Sequence, residues 1–330
     1  MRSGKRGSLW SSPEAYPGAM RPATGDQYEL DFGDLSATIT QVGASIRSLR
    51  FAESDLTEPY GVDEQTPSAC GIVLVPWPNR VADGRWVLDG EPRQLDLTEP
   101  AKRNAIHGLL RRRPYDLVDR TDSTVTQAAT IFPEPGYPFL LETSVTHELH
   151  TEGLQVTHSI ANAGDRPAPV AVGAHPYLRI ADVPPEQLTV TVRARTRFEV
   201  DERSNVVAQL PVEGTDFDLS AGRRVSDLDL DTGFADLPDG PAEHVLAADD
   251  GRRVVLWADE AFRYVQVFTH RRFATKPGGV ALAIEPMTAP ADALNSGTGL
   301  RWLEPGETWT VSWGIRPEGF GGEAYLASWG

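Results

Sequence analysis

Four short segments combine ionisable side chains with turn-forming neighbours, and they are where this sequence could carry chemistry. In Pro76-Trp77-Pro78-Asn79-Arg80-Val81-Ala82-Asp83-Gly84, two prolines stiffen the backbone that presents Trp77, Asn79 and Arg80. The indole offers an apolar face for a ring, and the guanidinium offers donors for hydroxyl groups. In Asn104-Ala105-Ile106-His107-Gly108, Ile106 can anchor in a core while His107 faces the other way, and Gly108 permits close approach. In Gly173-Ala174-His175-Pro176-Tyr177, the proline biases His175 toward extended backbone and Tyr177 supplies a phenol or a packing face. In Ile284-Glu285-Pro286-Met287-Thr288-Ala289-Pro290, Glu285 ends the apolar run 280–284, a predicted buried strand. A histidine can give or take a proton near neutrality, and a carboxylate at the mouth of a core strand is a candidate general base.

Each segment, taken alone, has an ordinary reading as well. Arg80 reads equally as a solvated loop residue, His107 and His175 as structural histidines, and Glu285 as a strand-end acid paired with an arginine. His147, His150 and His158 lie on or beside predicted strands and read as structural or surface residues. No His-x-x-x-His or Cys-x-x-Cys spacing occurs, so no metal is expected. There is no Gly-x-Ser-x-Gly elbow, no Walker loop and no Gly-x-Gly-x-x-Gly after a strand, which argues against a serine hydrolase and against nucleotide chemistry. The single cysteine, Cys70, precludes an intrachain disulfide and reads as a buried strand residue. Arg111-Arg112-Arg113 follows the His107 segment and reads as a solvated basic run on a strand edge, with phosphate recognition as the alternative.

The elements that must position these groups have a period of two. Segments 27–32, 36–40, 143–149, 154–160, 188–192, 253–257, 264–269 and 308–315 alternate β-branched or aromatic residues with polar ones, and most lie near Gly, Asp, Asn or Pro. Asp89-Gly90 after Trp86-Val87-Leu88 predicts a hairpin turn, as do Glu152-Gly153 and Asp249-Asp250-Gly251. With 26 prolines and 30 glycines spread through the chain, long helices are disfavoured and an all-β antiparallel sandwich is expected. Residues 1–24, rich in Ser, Gly and Pro, are expected to form a flexible tail, with one domain over 25–330.

A chain of 330 residues with 40% hydrophobic content can bury a sizeable core. Its net charge of -16 disfavours nucleic acid and anionic membranes as partners. No apolar run reaches membrane-spanning length, and no apolar stretch follows Arg2, Lys5 and Arg6, so a cytoplasmic protein without a secretory leader is expected.

The ordered set of motifs resembles the aldose 1-epimerase, or galactose mutarotase, family. The matching stretches are Pro-Asn-Arg-Val-Ala-Asp-Gly at 78–84, Asn-Ala-Ile-His-Gly-Leu at 104–109, Gly-Ala-His-Pro-Tyr-Leu at 173–178, Asp-Thr-Gly-Phe at 231–234, Glu-Pro-Met-Thr-Ala-Pro at 285–290 and Leu-Glu-Pro-Gly-Glu at 303–307, with Gly136-Tyr137-Pro138-Phe139 similar to a family turn. The resemblance extends over about residues 25–320. It implies a large β-sandwich of the galactose mutarotase-like supersandwich type and a sugar cleft on one sheet. It further implies Glu285 as catalytic base, His175 as acid, His107 as a second active-site histidine, and Arg80 and Asp231 as hydroxyl ligands. Asn79, Trp77 and Tyr177 are added here as substrate contacts. The expected substrate is a free aldohexose, the expected cofactor none, and the expected state a monomer or homodimer. The alternatives are a hexose-6-phosphate 1-epimerase and a non-catalytic carbohydrate-binding sandwich.

Overall fold

The computed structural model describes residues 21–273 and 279–321. The expected tail therefore lies outside the described residues up to position 20. From there, Ala23 N–H donates to the Val62 carbonyl and Thr24 is buried. The expected all-β fold is borne out: among the described residues the one α-helix is the four-residue turn Ala293–Ser296.

Two large antiparallel sheets organise the molecule. The nine-stranded sheet runs in the order Asp116–Arg120, Thr124–Ile131, Leu141–His150, Gly153–Asn162, Thr308–Glu318, Arg253–Ala258, Ala242–Ala248, Leu188–Thr191 and Arg223–Arg224. Its alternation is regular. Leu141, Thr143, Val145, His147 and Leu149 face inward from one strand, and Leu154, Val156, His158, Ile160 and Asn162 from the next. The second sheet runs Val206–Pro211, Thr196–Val200, Asp231–Ala235, Tyr264–His270, Ala281–Met287, Gly173–Ala174 and Val73–Leu74, with Tyr177–Leu178 also paired to Ala281–Met287. A four-stranded sheet, Gln27–Phe32, Leu35–Thr40, Ile46–Phe51 and Ser54–Asp55, contributes Leu30, Ile39 and Leu49 to the core shared by all three. The three turn signals are hairpins, and Asp89 and Gly90 both have positive φ (53° and 81°), as a type I′ turn requires.

The second sheet positions the site through its period-two alternation. Leu282 and Ile284 join the main core, as do Val265 and Val267 of the neighbouring strand. Ala281 and Ala283 point to the opposite face, into a satellite cluster with Tyr60, Cys70, Tyr177 and Phe273. Glu285, Gln266, Phe268, His270 and Asp231 share that outer parity, through the pairs Gln266↔Glu285 and Asp231↔Phe268. Glu285 is thus inside a strand rather than at its end, because the ladder to Tyr264–His270 continues through Val265↔Pro286 and Tyr264↔Met287. Cys70 is buried as expected, but in the turn closing Pro67–Ala69 rather than in a strand, and its thiol donates to the Glu58 carbonyl.

Candidate active site

His175 owes its position to a broken strand. Gly173–Ala174 and Tyr177–Leu178 both pair with Ala281–Met287, through Gly173↔Met287 and Tyr177↔Ala283. Pro176 between them has no N–H to offer, and its carbonyl instead accepts from Ile284 N–H at 3.2 Å. The chain bows out there, and His175 is held by its N–H to the Ile72 carbonyl (3.1 Å) and its carbonyl to Gly71 N–H (2.8 Å). The ring meets Glu285 across the ladder, with Nε2 3.3 Å from Oε1.

His107 is delivered from a separate two-residue ladder, Arg80↔Ile106 and Val81↔Ala105. It sits in the left-handed region (φ 63°), followed by Gly108 (φ 69°), where a Cβ would lie 2.0 Å from the Val75 carbonyl oxygen. His107 N–H donates to the Asn79 carbonyl (2.9 Å), and its Nδ1 accepts from Asn79 N–H (3.3 Å). An accepting Nδ1 places the proton of the neutral ring on Nε2, so His107 presents a donor. Its ring lies edge-on to that of His175, with centroids 5.4 Å apart.

These groups line a cavity of about 500 Å3, within the usual range for small-ligand sites. Glu285, His175 and His107 are only 2%, 4% and 6% exposed. Burial, and then the charge of Asp231, pushes the Glu285 carboxyl well above its ordinary value, against the pull of Arg80. Burial also pushes His175 down to about 4 and His107 well below its ordinary value. Burial therefore favours one proton held on the Glu285 side of the pair and two neutral imidazoles. Among the described residues, the buried Glu285 Oε2 and His175 Nδ1 have no hydrogen-bond partner, and a buried polar group left unpaired costs about 1–3 kcal/mol. One ligand atom each from His107, His175 and Glu285 falls within 4.8 Å of the others. The fold thus brings together three groups whose sequence spacing gives no metal signature, and they are the described residues that could jointly hold a cation.

The sequence profile of the aldose 1-epimerase family matches residues 26–316. The chain belongs to the aldose 1-epimerase family. Among its relatives is the protein named "Uncharacterized protein YihR" of Escherichia coli K12, 32% identical over 285 residues that span 86% of this chain and 91% of that one. A putative aldose 1-epimerase of E. coli K12 has the same fold, with a TM-score of 0.77 at 21% identity, covering 89% of this chain and 99% of the other. So has a galactose 1-epimerase from Lactobacillus acidophilus NCFM, with a TM-score of 0.76 at 18% identity, covering 91% and 97%. The galactose mutarotase-like architecture is thereby shown.

Around His107, His175 and Glu285, this chain builds an ion-pair lattice. Arg80 donates to both Glu99 oxygens (2.8 and 3.1 Å) and to Asp231 Oδ2 at 3.4 Å. Asp231 Oδ1 accepts from Gln266 Nε2 (2.7 Å), and Lys102 approaches both Glu99 and Asp231 at 4.0 Å. Arg80 and Asp231 line the cavity, as does Asn79, whose Oδ1 accepts from Arg80 N–H. Glu99, Lys102 and Gln266 were not singled out from sequence. The signal available was a polar residue at an outward position of a mostly apolar strand for Gln266, and a charged turn just before the His107 segment for the other two.

Two expected substrate contacts are placed elsewhere. Trp77 is 2% exposed and packs on Tyr137 at 5.9 Å, because the indole between two prolines turns into the main core rather than to the cavity wall. Tyr177 lies behind His175 (centroids 5.2 Å) and donates to the Ser68 carbonyl, so it supports the histidine from within the satellite cluster. The basic run also differs from its expectation. It lies in a turn rather than on a strand edge, and Arg111 and Arg112 line the cavity.

Proposed function

We propose that the chain is an aldose 1-epimerase that interconverts the α and β anomers of an aldose through ring opening and reclosure. The observation that carries this reading is the His175–Glu285 contact at 3.3 Å, with the outer oxygen of one and the far nitrogen of the other left unpartnered in the wall of a polar cavity. The anomeric hydroxyl and the ring oxygen share one carbon, so an acid and a base side by side can serve both.

In the forward direction Glu285, as carboxylate, takes the proton of the C1 hydroxyl. The C1–O bond becomes a carbonyl, the C1–O5 bond breaks, and His175, as imidazolium, delivers a proton to O5. Rotation about C1–C2 exposes the other carbonyl face, O5 attacks it, and the two protons return by the reverse transfers. The number of protons in the pair equals what the reaction needs; they must only shift from the Glu285 side to His175. Sugar hydroxyl groups in the cavity favour that shift by hydrogen-bonding to the ion pair. His107 offers its Nε2–H to the ring oxygen region, and Arg80 and Asp231, oriented by Glu99 and Gln266, are placed to bind ring hydroxyls.

Polarimetry on freshly dissolved α-glucose and α-galactose tests this. The wild type should hasten the approach to rotational equilibrium, and Glu285→Gln should lose roughly 10²–10⁴ of that acceleration. Undiminished activity in Glu285→Gln would remove it as the base. Sugar binding without any acceleration in the wild type would instead support a non-catalytic sugar-binding sandwich.

A further inference from the structure

The cavity carries more positive charge than its ion pairs use. Four cationic side chains line it, Arg80, Lys102, Arg111 and Arg112. Arg80 and Lys102 are engaged with the carboxylates of Glu99 and Asp231. Among the described residues, Arg111 and Arg112 make no ion pair within 4 Å, in a chain whose net charge is -16. Arg111 is partly buried and held in place, for its Nη2 donates to the Thr98 carbonyl at 2.9 Å. Thr98 in turn fixes Ile106 through Oγ1, which accepts from Ile106 N–H at 2.9 Å. Burial, and then the charge of Arg112, pushes the Arg111 guanidinium down from its ordinary value. Two neighbouring arginines on one cavity wall, neither in an ion pair among the described residues, are poised to bind an anion.

The geometry of a pyranose says where that anion belongs. Ring opening requires the acid at O5, and C5, next to O5, carries the exocyclic C6. A substituent on C6 therefore lies on the ring-oxygen side, where His107 stands. Arg111 is among the charges that lower the basicity of His107, which places the guanidinium in its electrostatic neighbourhood. We propose that Arg111 and Arg112 form a recognition site for an anionic group, whether phosphate, sulfate ester or carboxylate, carried on C6 of the aldose. The inference rests on the epimerase reading above for the sugar and on the unused cations for the anion.

The test is anomer-exchange NMR with glucose, glucose 6-phosphate, glucose 6-sulfate and glucuronate, alongside calorimetric binding of each. We expect kcat/KM at least tenfold higher for one or more of the anionic sugars than for glucose, and the arms tell phosphate from sulfate and from carboxylate. The double variant Arg111→Gln/Arg112→Gln should cut that preference at least tenfold. Arg113→Gln, which lies outside the cavity wall, should leave it unchanged. The preference should also shrink in about 1 M salt, where screening acts over about 3 Å. Equal kcat/KM for all four sugars, or a preference indifferent to the double variant, overturns the inference and leaves the epimerase reading standing. Selective binding of anionic sugars without acceleration of any overturns the epimerase reading and supports the anion site.

Discussion

At the scale of single residues, the site is governed by burial. Glu285 and His175 are shifted in opposite directions by the same burial, so their shared proton is favoured on the Glu285 side. Under the proposed mechanism His175 is the more exacting member of the pair, since it must hold a proton its surroundings disfavour and release it to O5. His175→Asn keeps a polar group of similar reach but cannot donate a proton near neutrality. It should lower kcat by roughly 10²–10⁴ while KM changes little. Initial-rate polarimetry checks this, and a variant defective in KM alone would reassign His175 to binding. The residues themselves were readable because their types were unusual for their surroundings: a glutamate in the apolar stretch 280–287 and histidines flanked by Gly or Pro. What supports them was not readable. Arg80 meets Asp231 across 151 positions and Glu99 across 19, and no local pattern announces such partners. Trp77 and Tyr177 were misplaced for a related reason: an aromatic beside a motif can line a cavity or back it, and only packing decides.

At the scale of elements, two local devices aim the histidines. One is the proline-broken strand at 174–177; the other is the left-handed pair His107-Gly108. Gly108→Ala tests the second. Its Cβ would collide with backbone, the Val75 carbonyl oxygen at 2.0 Å, and φ of 69° is strained for any L side chain. A loss of about 3 kcal/mol in stability is expected, with kcat falling more than stability explains because His107 moves with the loop. Chemical denaturation and polarimetry on the same preparation check this, and a variant equal to wild type in both would show that the turn tolerates a side chain. Strands with clean alternation, such as 143–149 and 154–160, were legible in sequence and lie within longer strands, Leu141–His150 and Gly153–Asn162. Thr124–Ile131 and Ala242–Ala248 were not, since alanines at half-buried and buried positions alike blur the period.

At the scale of the whole molecule, the interior of the large sheet holds histidines unrelated to the cavity. Burial pushes His147 to about 3, with a contribution from the charge of His158; it alone pushes His158 to about 3 and His244 to about 4. His158 Nε2 accepts from Trp313 Nε1 at 3.0 Å, a bond that a protonated ring cannot make. The folded state therefore binds these protons less readily than the unfolded chain, whose histidines titrate near 6.5. Stability is full above pH 6.5 and falls as pH drops from there toward 4, with a slope of up to about 4 kcal/mol per pH unit for three such groups. Urea unfolding at pH 7, 6 and 5 measures it, and His244→Leu should lower the slope by up to about 1.4 kcal/mol per pH unit. Equal midpoints at pH 7 and 5 would contradict the neutral, buried assignment.

The broken strand has one more consequence. Glu285 sits on a rung of the second sheet, and His175 sits in the break between two short strands that pair with that same strand, so their spacing is set by the ladder on either side of the break. Part of the remaining cavity wall, by contrast, comes from the stretch 98–112, through Thr98, Glu99, Lys102, Ile106, Arg111 and Arg112. Under the proposed function, the His175–Glu285 pair and much of the substrate-facing wall belong to separate parts of the chain. Transplanting 98–112, with its histidine at 107 retained, from one such protein to another should retarget the catalyst to a different sugar while leaving the His175–Glu285 pair in register.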